Sequence, residues 1–255
     1  MSRVINSQII MVHSYKGGTG KTAVAINLAR YLAIKEKKKV LLIEQDTHGS
    51  SFTSIFRVKV EKTWNDFYNR NSSIKELITS HSGLDLICAR AQDIEIPQDQ
   101  SPKVFYARQL ERLNMQKKSL LASYDHVILD TRPGYTIELI NSISIADTAI
   151  LLTRLDADTV EKTIDMYNDV YTQFKDRKII LVQNQVPEPV EVQMEYTIDL
   201  DVEKAMEQWS KFIENKPAVV IPLENEIAYM LSRSKLVPIS STFIKYIQQI
   251  AELVK

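Results

Sequence analysis

The chain has 255 residues, of which 44% are hydrophobic and 25% are charged. Its 32 basic residues balance its 32 acidic residues, so no overall basic excess marks a nucleic-acid-binding protein. The one cysteine, Cys88, excludes a disulfide framework and a CxxC metal or cluster site. The first six residues are too few and too polar for a secretion signal, and no apolar run approaches the roughly 20 residues of a membrane span. We therefore expect a cytoplasmic protein.

Apolar runs alternate along the chain with segments of helical periodicity. The predicted strands span Gln8–His13, Lys39–Glu44, Leu84–Cys88, His126–Asp130, Thr148–Thr153, Lys178–Gln183 and Ala218–Ile221. The predicted helices span Lys21–Glu36, Lys103–Ala122, Ile137–Ile145, Thr159–Phe174, Val202–Ile213, Asn225–Arg233 and Thr242–Val254. Several strands are continuously apolar, which is typical of strands buried on both faces. This alternation predicts an α/β fold: one domain over residues 1–255, with a doubly wound, mostly parallel sheet of about seven strands flanked by helices.

A glycine-rich loop, Lys16-Gly17-Gly18-Thr19-Gly20-Lys21-Thr22, joins the first predicted strand to the first predicted helix, which continues from Ala23. In a strand–loop–helix unit of this kind, successive backbone N–H groups converge on an anion, and the helix N-terminus adds partial positive charge. Lys21 would reach the β- and γ-phosphates of a nucleotide, and the Thr22 hydroxyl would hold Mg²⁺. The loop therefore predicts a P-loop.

This loop departs from the ordinary Walker A pattern, because Tyr15 stands where that pattern has glycine and a second lysine, Lys16, stands at the start. In both respects it resembles the deviant Walker A motif of the ParA/MinD family of P-loop ATPases, KGG-x-GK-[ST]. The resemblance implies ATP and Mg²⁺ as ligands and a homodimer that forms on ATP binding. It also implies that Lys16 crosses the dimer interface to the nucleotide of the partner subunit.

Two acids follow the second predicted strand, in the segment Glu44-Gln45-Asp46-Thr47-His48-Gly49. Being two residues apart, they point to different faces, so one can reach the phosphates while the other braces the loop. The segment resembles switch I of the family, D-x-D-P-Q-G, and the resemblance places Asp46 beside Mg²⁺ and the attacking water. Glu44, Thr47 and His48 depart from the motif and leave the conformation of the loop open.

Asp130 ends the fourth predicted strand after three apolar residues, which is the Walker B arrangement. Its carboxylate would orient a Mg²⁺-bound water. Gly134 would bring a backbone N–H to the γ-phosphate, because no side chain blocks the approach. The segment from Asp130 to Gly134 resembles switch II of the family, D-T-P-P-G. Arg132 replaces a common proline there, and it either faces solvent or contacts phosphate or the partner subunit.

An amide, Asn184, follows the sixth predicted strand and can both donate to and accept from an adenine edge. The resemblance assigns base recognition to this position, with Gln183 and Gln185 as neighbouring alternatives, and it places Pro222 against adenine. The predicted nucleotide site comprises Lys16, Gly17, Gly18, Thr19, Gly20, Lys21, Thr22, Ala23, Gly134, Asn184 and Pro222. Within the site, Lys16, Lys21 and Asp46 are predicted to act in catalysis, and Thr22, Asp46 and Asp130 to hold the metal.

Three outputs of such an ATPase are compatible with the sequence. We favour partition-type, non-specific DNA binding, regulated by a stimulating partner protein, through basic residues at positions 108, 112, 117, 118, 211, 216, 233, 235 and 245. Membrane attachment through the amphipathic C-terminal helix has less support, because only Lys245 and Lys255 are basic there. The third output is a nucleotide-dependent scaffold with little hydrolysis. Relatives that carry metal clusters need more than one cysteine, so we do not expect that function here.

Residues 57–102 carry no motif of the family, and Trp64, Phe67 and Tyr68 there are predicted to form local core.

Overall fold

The computed structural model describes residues 7–69, 72–186 and 218–255. One sheet of eight strands runs in the order β3-β4-β2-β5-β1-β6-β7-β8. The strands are β1 (Gln8–Ser14), β2 (Val40–Glu44), β3 (Thr79–His81), β4 (Leu84–Ile87), β5 (His126–Asp130), β6 (Thr148–Thr153), β7 (Lys178–Val186) and β8 (Val219–Pro222). All neighbouring strands are parallel except β3 and β4. The predicted fold is confirmed. The sheet has one strand more than predicted, because β3 is a three-residue antiparallel edge strand, too short to give an apolar run.

The helices are α1 (Lys21–Arg30), α2 (Phe52–Phe56), α3 (Trp64–Asn69), α4 (Pro102–Ser123), α5 (Ile137–Ile145), α6 (Ala157–Asp169), α7 (Asn225–Ser232) and α8 (Phe243–Leu253). The first predicted helix continues past α1 as a π-helical turn, Tyr31–Lys35. The predicted helix Thr159–Phe174 breaks after Asp169, and its last part is the 3₁₀ turn Tyr171–Gln173. The predicted helix Val202–Ile213 lies outside the described residues.

Strand β1 is buried on both faces, as its unbroken apolar run predicts. Ile10 and Val12 pack on one side of the sheet, in the cluster that also contains α1 and α8. Ile9 and Met11 pack on the other side, with residues of α4, α5 and α6. The two clusters give the sheet two apolar layers, and they hold its strands in one register.

The apolar face of α8 belongs to the core. Phe243, Ile247 and Ile250 are buried against α1 and the sheet. This packing accounts for the periodicity of the C-terminal helix, which the sequence left open as a membrane-binding face. Within the described ranges, no helix combines the length and the apolar character that crossing a membrane requires.

The aromatic side chains of α3 belong to the core, as predicted for this part of the chain. The rings of Trp64 and Phe67 stack with centroids 5.0 Å apart, and Tyr68 is also buried. The Arg112 guanidinium lies 4.2 Å from the centroid of the Phe67 ring and donates to the Phe67 and Ser72 carbonyls. This arginine therefore anchors α3 to α4, although the sequence suggested it for DNA.

Candidate nucleotide site

The glycine-rich loop leaves the carboxyl end of β1 and turns into α1, as predicted. Gly18 and Gly20 have φ angles of +77° and +91°, in the left-handed region that favours glycine. A Cβ on Gly20 would also meet the amide nitrogen of the Asn184 side chain, which would have to move. The turn therefore depends on glycine at position 20 chiefly because of its backbone conformation.

Three groups of the predicted metal and phosphate site surround Lys21. The Lys21 ammonium is buried, and burial lowers its pKa, while the carboxylates of Asp130 and Asp46 act in the opposite direction. The Thr22 hydroxyl lies close enough to the Asp130 carboxylate to lower its pKa. Because Lys21, Thr22, Asp46 and Asp130 come from three different parts of the chain, their convergence is a property of the fold.

The carboxylate of Asp130 is poorly satisfied. It is 1% exposed, and its Oδ1 atom has no hydrogen-bond partner among the described residues. Burial raises its pKa to about 7, with Lys21 and Thr22 lowering it and Asp46 raising it further. A carboxylate oxygen in this position fits a cation.

These residues fit Mg²⁺ only together with a nucleotide. Within the described ranges, no three His, Cys, Asp or Glu side chains are arranged to hold a metal ion. Mg²⁺ in nucleotide enzymes is commonly held by one or two carboxylates and by phosphate oxygens. Thr22, Asp46 and Asp130 would supply the protein ligands, and the phosphates would complete the coordination.

Glu44 is the brace of switch I, the role that the sequence predicted for one of its two acids. Its Oε1 atom accepts from the backbone N–H groups of Ser51 and Phe52, the latter at 3.1 Å, and its Oε2 atom accepts from Ala89 N at 2.9 Å. Burial raises the Glu44 pKa to about 7, although these hydrogen bonds lower it. Glu44 thus joins the end of β2 to the start of α2 and to the end of β4.

Two groups predicted to contact the nucleotide bond to their own chain. Asp46 Oδ1 accepts from the backbone N–H groups of His48 and Gly49 at 3.0 and 2.9 Å. The Gly134 N–H, predicted to approach the γ-phosphate, donates to the Ser14 carbonyl at 3.0 Å. Both groups would exchange these partners when they engage a nucleotide.

Lys16 is exposed at the start of the loop, as its predicted role across a dimer requires. Its ammonium bonds to Asp158 and lies 3.9 Å from Asp156, both at the N-terminus of α6. The hydrogen bond to Asp158 raises the pKa of Lys16. No sequence motif marks these two acids, and only the placement of α6 beside β1 brings them to the lysine.

The predicted base site is a small cavity beside the loop. A space of about 120 Å³ is lined by Gly20, Ala23, Asn184, Gln185, Pro222 and residues of α7 and α8. The Asn184 amide donates to the Thr19 carbonyl at 2.7 Å, and Gln185 donates to the Gly18 carbonyl at 2.9 Å. The structure therefore brings Ala23, Asn184 and Pro222 together, and it gives Gln185 a contact with the loop as well.

We predict that the Asp130→Asn substitution removes part of the pH dependence of stability. The ordinary pKa of the carboxyl is 3.8, and the folded chain raises it to about 7. The protonated Asp130 carboxyl therefore contributes to the unfolding free energy. This stabilisation is fully present below about pH 4 and is lost as the pH rises through about 7. Between about pH 5 and pH 8, the unfolding free energy of the nucleotide-free wild type should fall by roughly 2–3 kcal/mol relative to the variant. Urea unfolding measures this difference.

The matched control is Asp99→Asn, which changes an exposed acid. It should follow the wild type at both pH values. Parallel pH profiles for the wild type and Asp130→Asn would contradict the raised pKa.

Comparison with known proteins identifies the family. A family model described as an AAA domain matches residues 7–182. The sporulation initiation inhibitor protein Soj of Bacillus subtilis (strain 168) is 28% identical over 171 residues, which are 64% of this chain and 64% of Soj. The chain spans 44% to 64% of the length of the first relatives it matches.

Solved structures agree with the fold. A plasmid partition protein from Borrelia burgdorferi B31, bound to AMPPNP, has a TM-score of 0.74 at 22% identity, over 97% of this chain and 98% of that one. The septum site-determining protein MinD from Pyrococcus horikoshii OT3, complexed with Mg-ADP, has a TM-score of 0.71 at 19% identity, over 98% of this chain and 96% of that one. With the deviant phosphate loop and both switch segments, these matches lead to one conclusion: the chain belongs to the ParA/MinD family of P-loop ATPases.

Proposed function

We propose that residues 1–255 form one ATPase domain that acts as a cytoplasmic switch: it dimerises on binding ATP and Mg²⁺ and separates after hydrolysis. The observation that carries the proposal is the convergence of Lys21, Thr22, Asp46 and Asp130 around a loop whose first lysine is exposed. Membership of a family of P-loop ATPases supports the same activity.

Each residue has a definite task in this chemistry. Lys21 places a positive charge against the transferred phosphoryl group, where negative charge is spread in the transition state. Asp46 orients the attacking water once it leaves the amides of its own loop. Thr22, Asp46 and Asp130 would hold Mg²⁺, which when bound would neutralise charge on the phosphate oxygens. Gly134 fixes switch II by its backbone N–H.

Dimerisation gives Lys16 its function. In this chain, Lys16 is held by Asp158 of the same subunit. To reach the partner's nucleotide, it must exchange a carboxylate for a phosphate, which carries more negative charge. The ion pair is exposed, so this exchange costs little.

For the output we propose non-specific DNA binding in partition, with hydrolysis stimulated by a partner protein. Two of the basic residues considered on α4 are engaged internally: Arg112 anchors α3, and Lys117 bonds to the Ile145 carbonyl and to Asp147. Arg108 and Lys118 remain exposed on this helix. Lys211 and Lys216 lie outside the described residues.

A cleft between α2 and the end of α7 offers a further basic surface, of which the sequence indicated only Lys235. Its volume is about 460 Å³, and its ionisable lining residues are Arg57, His81 and Lys235, with no acidic residue among the described lining. Neither Arg57 nor Lys235 forms an ion pair with a described residue. Unneutralised cations in a concave surface attract a phosphate backbone.

The other two outputs have less support in the described chain. Membrane attachment through α8 would need its apolar face, which is buried. A scaffold without hydrolysis would need Asp46 to be out of reach, but Asp46 is close enough to Lys21 to affect its pKa.

Two variants should distinguish the residues needed for nucleotide binding from those needed for hydrolysis. Lys21→Ala should weaken binding of a fluorescent ATP analogue more than tenfold, because it removes the buried cation at the phosphates. Asp46→Ala should bind the analogue normally and release phosphate about 100-fold more slowly, because the water loses its orienting group. Asp99→Asn is the control for both assays. Hydrolysis at the wild-type rate by Asp46→Ala would contradict the assignment.

Substitution of either partner in the exposed ion pair of Lys16 and Asp158 should change the protein concentration at which the chain dimerises. With a non-hydrolysable ATP analogue, Lys16→Ala should stay monomeric in sedimentation velocity, whereas Asp158→Asn should dimerise at a several-fold lower protein concentration than the wild type. Glu161→Gln, at an exposed acid on the same helix, should match the wild type. Equal dimerisation by wild type and Lys16→Ala would overturn the role of Lys16.

Fluorescence anisotropy of a random-sequence duplex tests the output. The Asp46→Ala protein should bind the duplex with ATP and Mg²⁺ but not with ADP, and rising salt should weaken the complex. Introducing both Arg57→Ala and Lys235→Ala into the Asp46→Ala protein should reduce its affinity for the duplex about tenfold. Introducing Lys103→Ala and Lys175→Ala, at two exposed lysines, should reduce that affinity less. Absence of binding in both nucleotide states would exclude DNA and indicate a protein or membrane target.

A further inference from the structure

A buried histidine lies beneath switch II. His13, on β1, has no exposed surface, and its Nδ1 atom is 2.7 Å from the hydroxyl of Thr131. Thr131 follows Asp130 directly. Its hydroxyl also contacts the carbonyl of Val12 at 2.9 Å, and its backbone N–H donates to the same carbonyl.

The hydrogen bonds of Thr131 determine the tautomer of His13. A threonine hydroxyl has one hydrogen, and here it points to the Val12 carbonyl, which can only accept. Towards His13 the hydroxyl must therefore accept, so Nδ1 carries the hydrogen. Burial, and then the charge of Lys21, lower the His13 pKa to about 3, although a hydrogen bond with the Arg132 backbone acts in the opposite direction. The neutral ring consequently leaves Nε2 without a hydrogen, as an acceptor.

Two complementary polar atoms near this ring lack partners among the described residues. Neither His13 Nε2 nor the Tyr171 hydroxyl has a hydrogen-bond partner among the described residues. Tyr171 is 2% exposed, and the two ring centroids are 6.4 Å apart. A buried donor and a buried acceptor are each costly when unpaired, so a hydrogen bond between these two groups would stabilise both.

We propose that His13 is a positioning residue for switch II, and that the Tyr171 hydroxyl completes it by donating to Nε2. The resulting chain runs from Tyr171 through His13 and Thr131 to the carbonyl of Val12, with every donor matched to an acceptor. This chain of hydrogen bonds fixes Thr131, the residue next to Asp130, and therefore the direction of the Asp130 carboxylate.

The chain also connects switch II with α6. Tyr171 follows the C-terminal end of α6, and the Tyr135 hydroxyl, just after switch II, donates to Asp169 in the last turn of that helix at 3.0 Å. The N-terminal end of α6 holds Lys16 through Asp158. One rigid helix thus contacts switch II at one end and the interface lysine at the other. This coupling rests on the proposed function, whereas the arrangement of His13 does not.

The arrangement is tested by long-range ¹H–¹⁵N spectra of the four histidines, without nucleotide. The His13→Leu variant identifies the His13 signals. They should show a neutral ring protonated at Nδ1, and Tyr171→Phe should shift the Nε2 resonance. Tyr167→Phe, in the ring stacked on Tyr171, is the matched control and should leave that resonance unchanged. A hydrogen on Nε2, or no response to Tyr171→Phe, would overturn the proposal.

Turnover tests the positioning role. His13→Leu and Tyr171→Phe should each lower kcat about five- to tenfold with nucleotide affinity unchanged, and the double variant should be no slower than the slower single one, because both remove the same chain. His13→Gln keeps a donor and an acceptor and should recover part of the rate. If the kcat losses of the two single variants multiplied in the double variant, the proposed coupling of His13 and Tyr171 would be overturned. If the wild type hydrolyses no ATP, the proposed function fails, while the spectra still decide the arrangement of His13.

Discussion

The pairing of β5 with a strand on each side sets the geometry of the site. In this register Asp130 lies opposite Val12 of β1 and opposite Glu44 of β2. Two buried carboxylates therefore stand side by side at the carboxyl end of the sheet, and burial raises both their pKa values to about 7. Glu44 is satisfied by backbone amides, whereas one oxygen of Asp130 is left for a ligand.

The same register connects the switch segments. The backbone N–H of Gln45 donates to the Asp130 carbonyl at 2.8 Å, and the Gln45 side chain accepts from Ser142 on α5 at 2.8 Å. Switch I is thus bonded to the end of β5 and to the helix that follows switch II. A displacement of either switch segment would change the hydrogen bonds of the other, so the proposed switch has a structural connection between its two segments.

Three groups of the site bond to other groups of the same chain. Lys16 bonds to Asp158, Asp46 bonds to the amides of its own loop, and the Gly134 N–H bonds to the Ser14 carbonyl. Binding a nucleotide would therefore exchange one set of hydrogen bonds for another. Since the net free energy of such an exchange is small, the two states can lie close in energy, as a switch requires.

The sequence by itself determined the α/β class, the phosphate loop and the acid that ends β5. These features rest on local patterns: apolar runs that strands buried on both faces require, and glycines at positions 18 and 20, where the backbone has positive φ. The resemblance to the family pointed to Asn184 and Pro222, and the structure places both in one cavity with Gly20 and Ala23. The short strand β3 was missed because three residues show no periodicity.

Only the tertiary structure decided which partners these groups have. Asp158 meets Lys16 although 142 positions separate them in the chain, and Thr131 meets His13 across 118 positions. Arg112 and Lys117, basic residues on one helix by sequence, became internal anchors because α3 and Asp147 lie against them. The sequence gives the type of each side chain, but the partner of that side chain depends on how distant segments pack, which local sequence patterns do not predict.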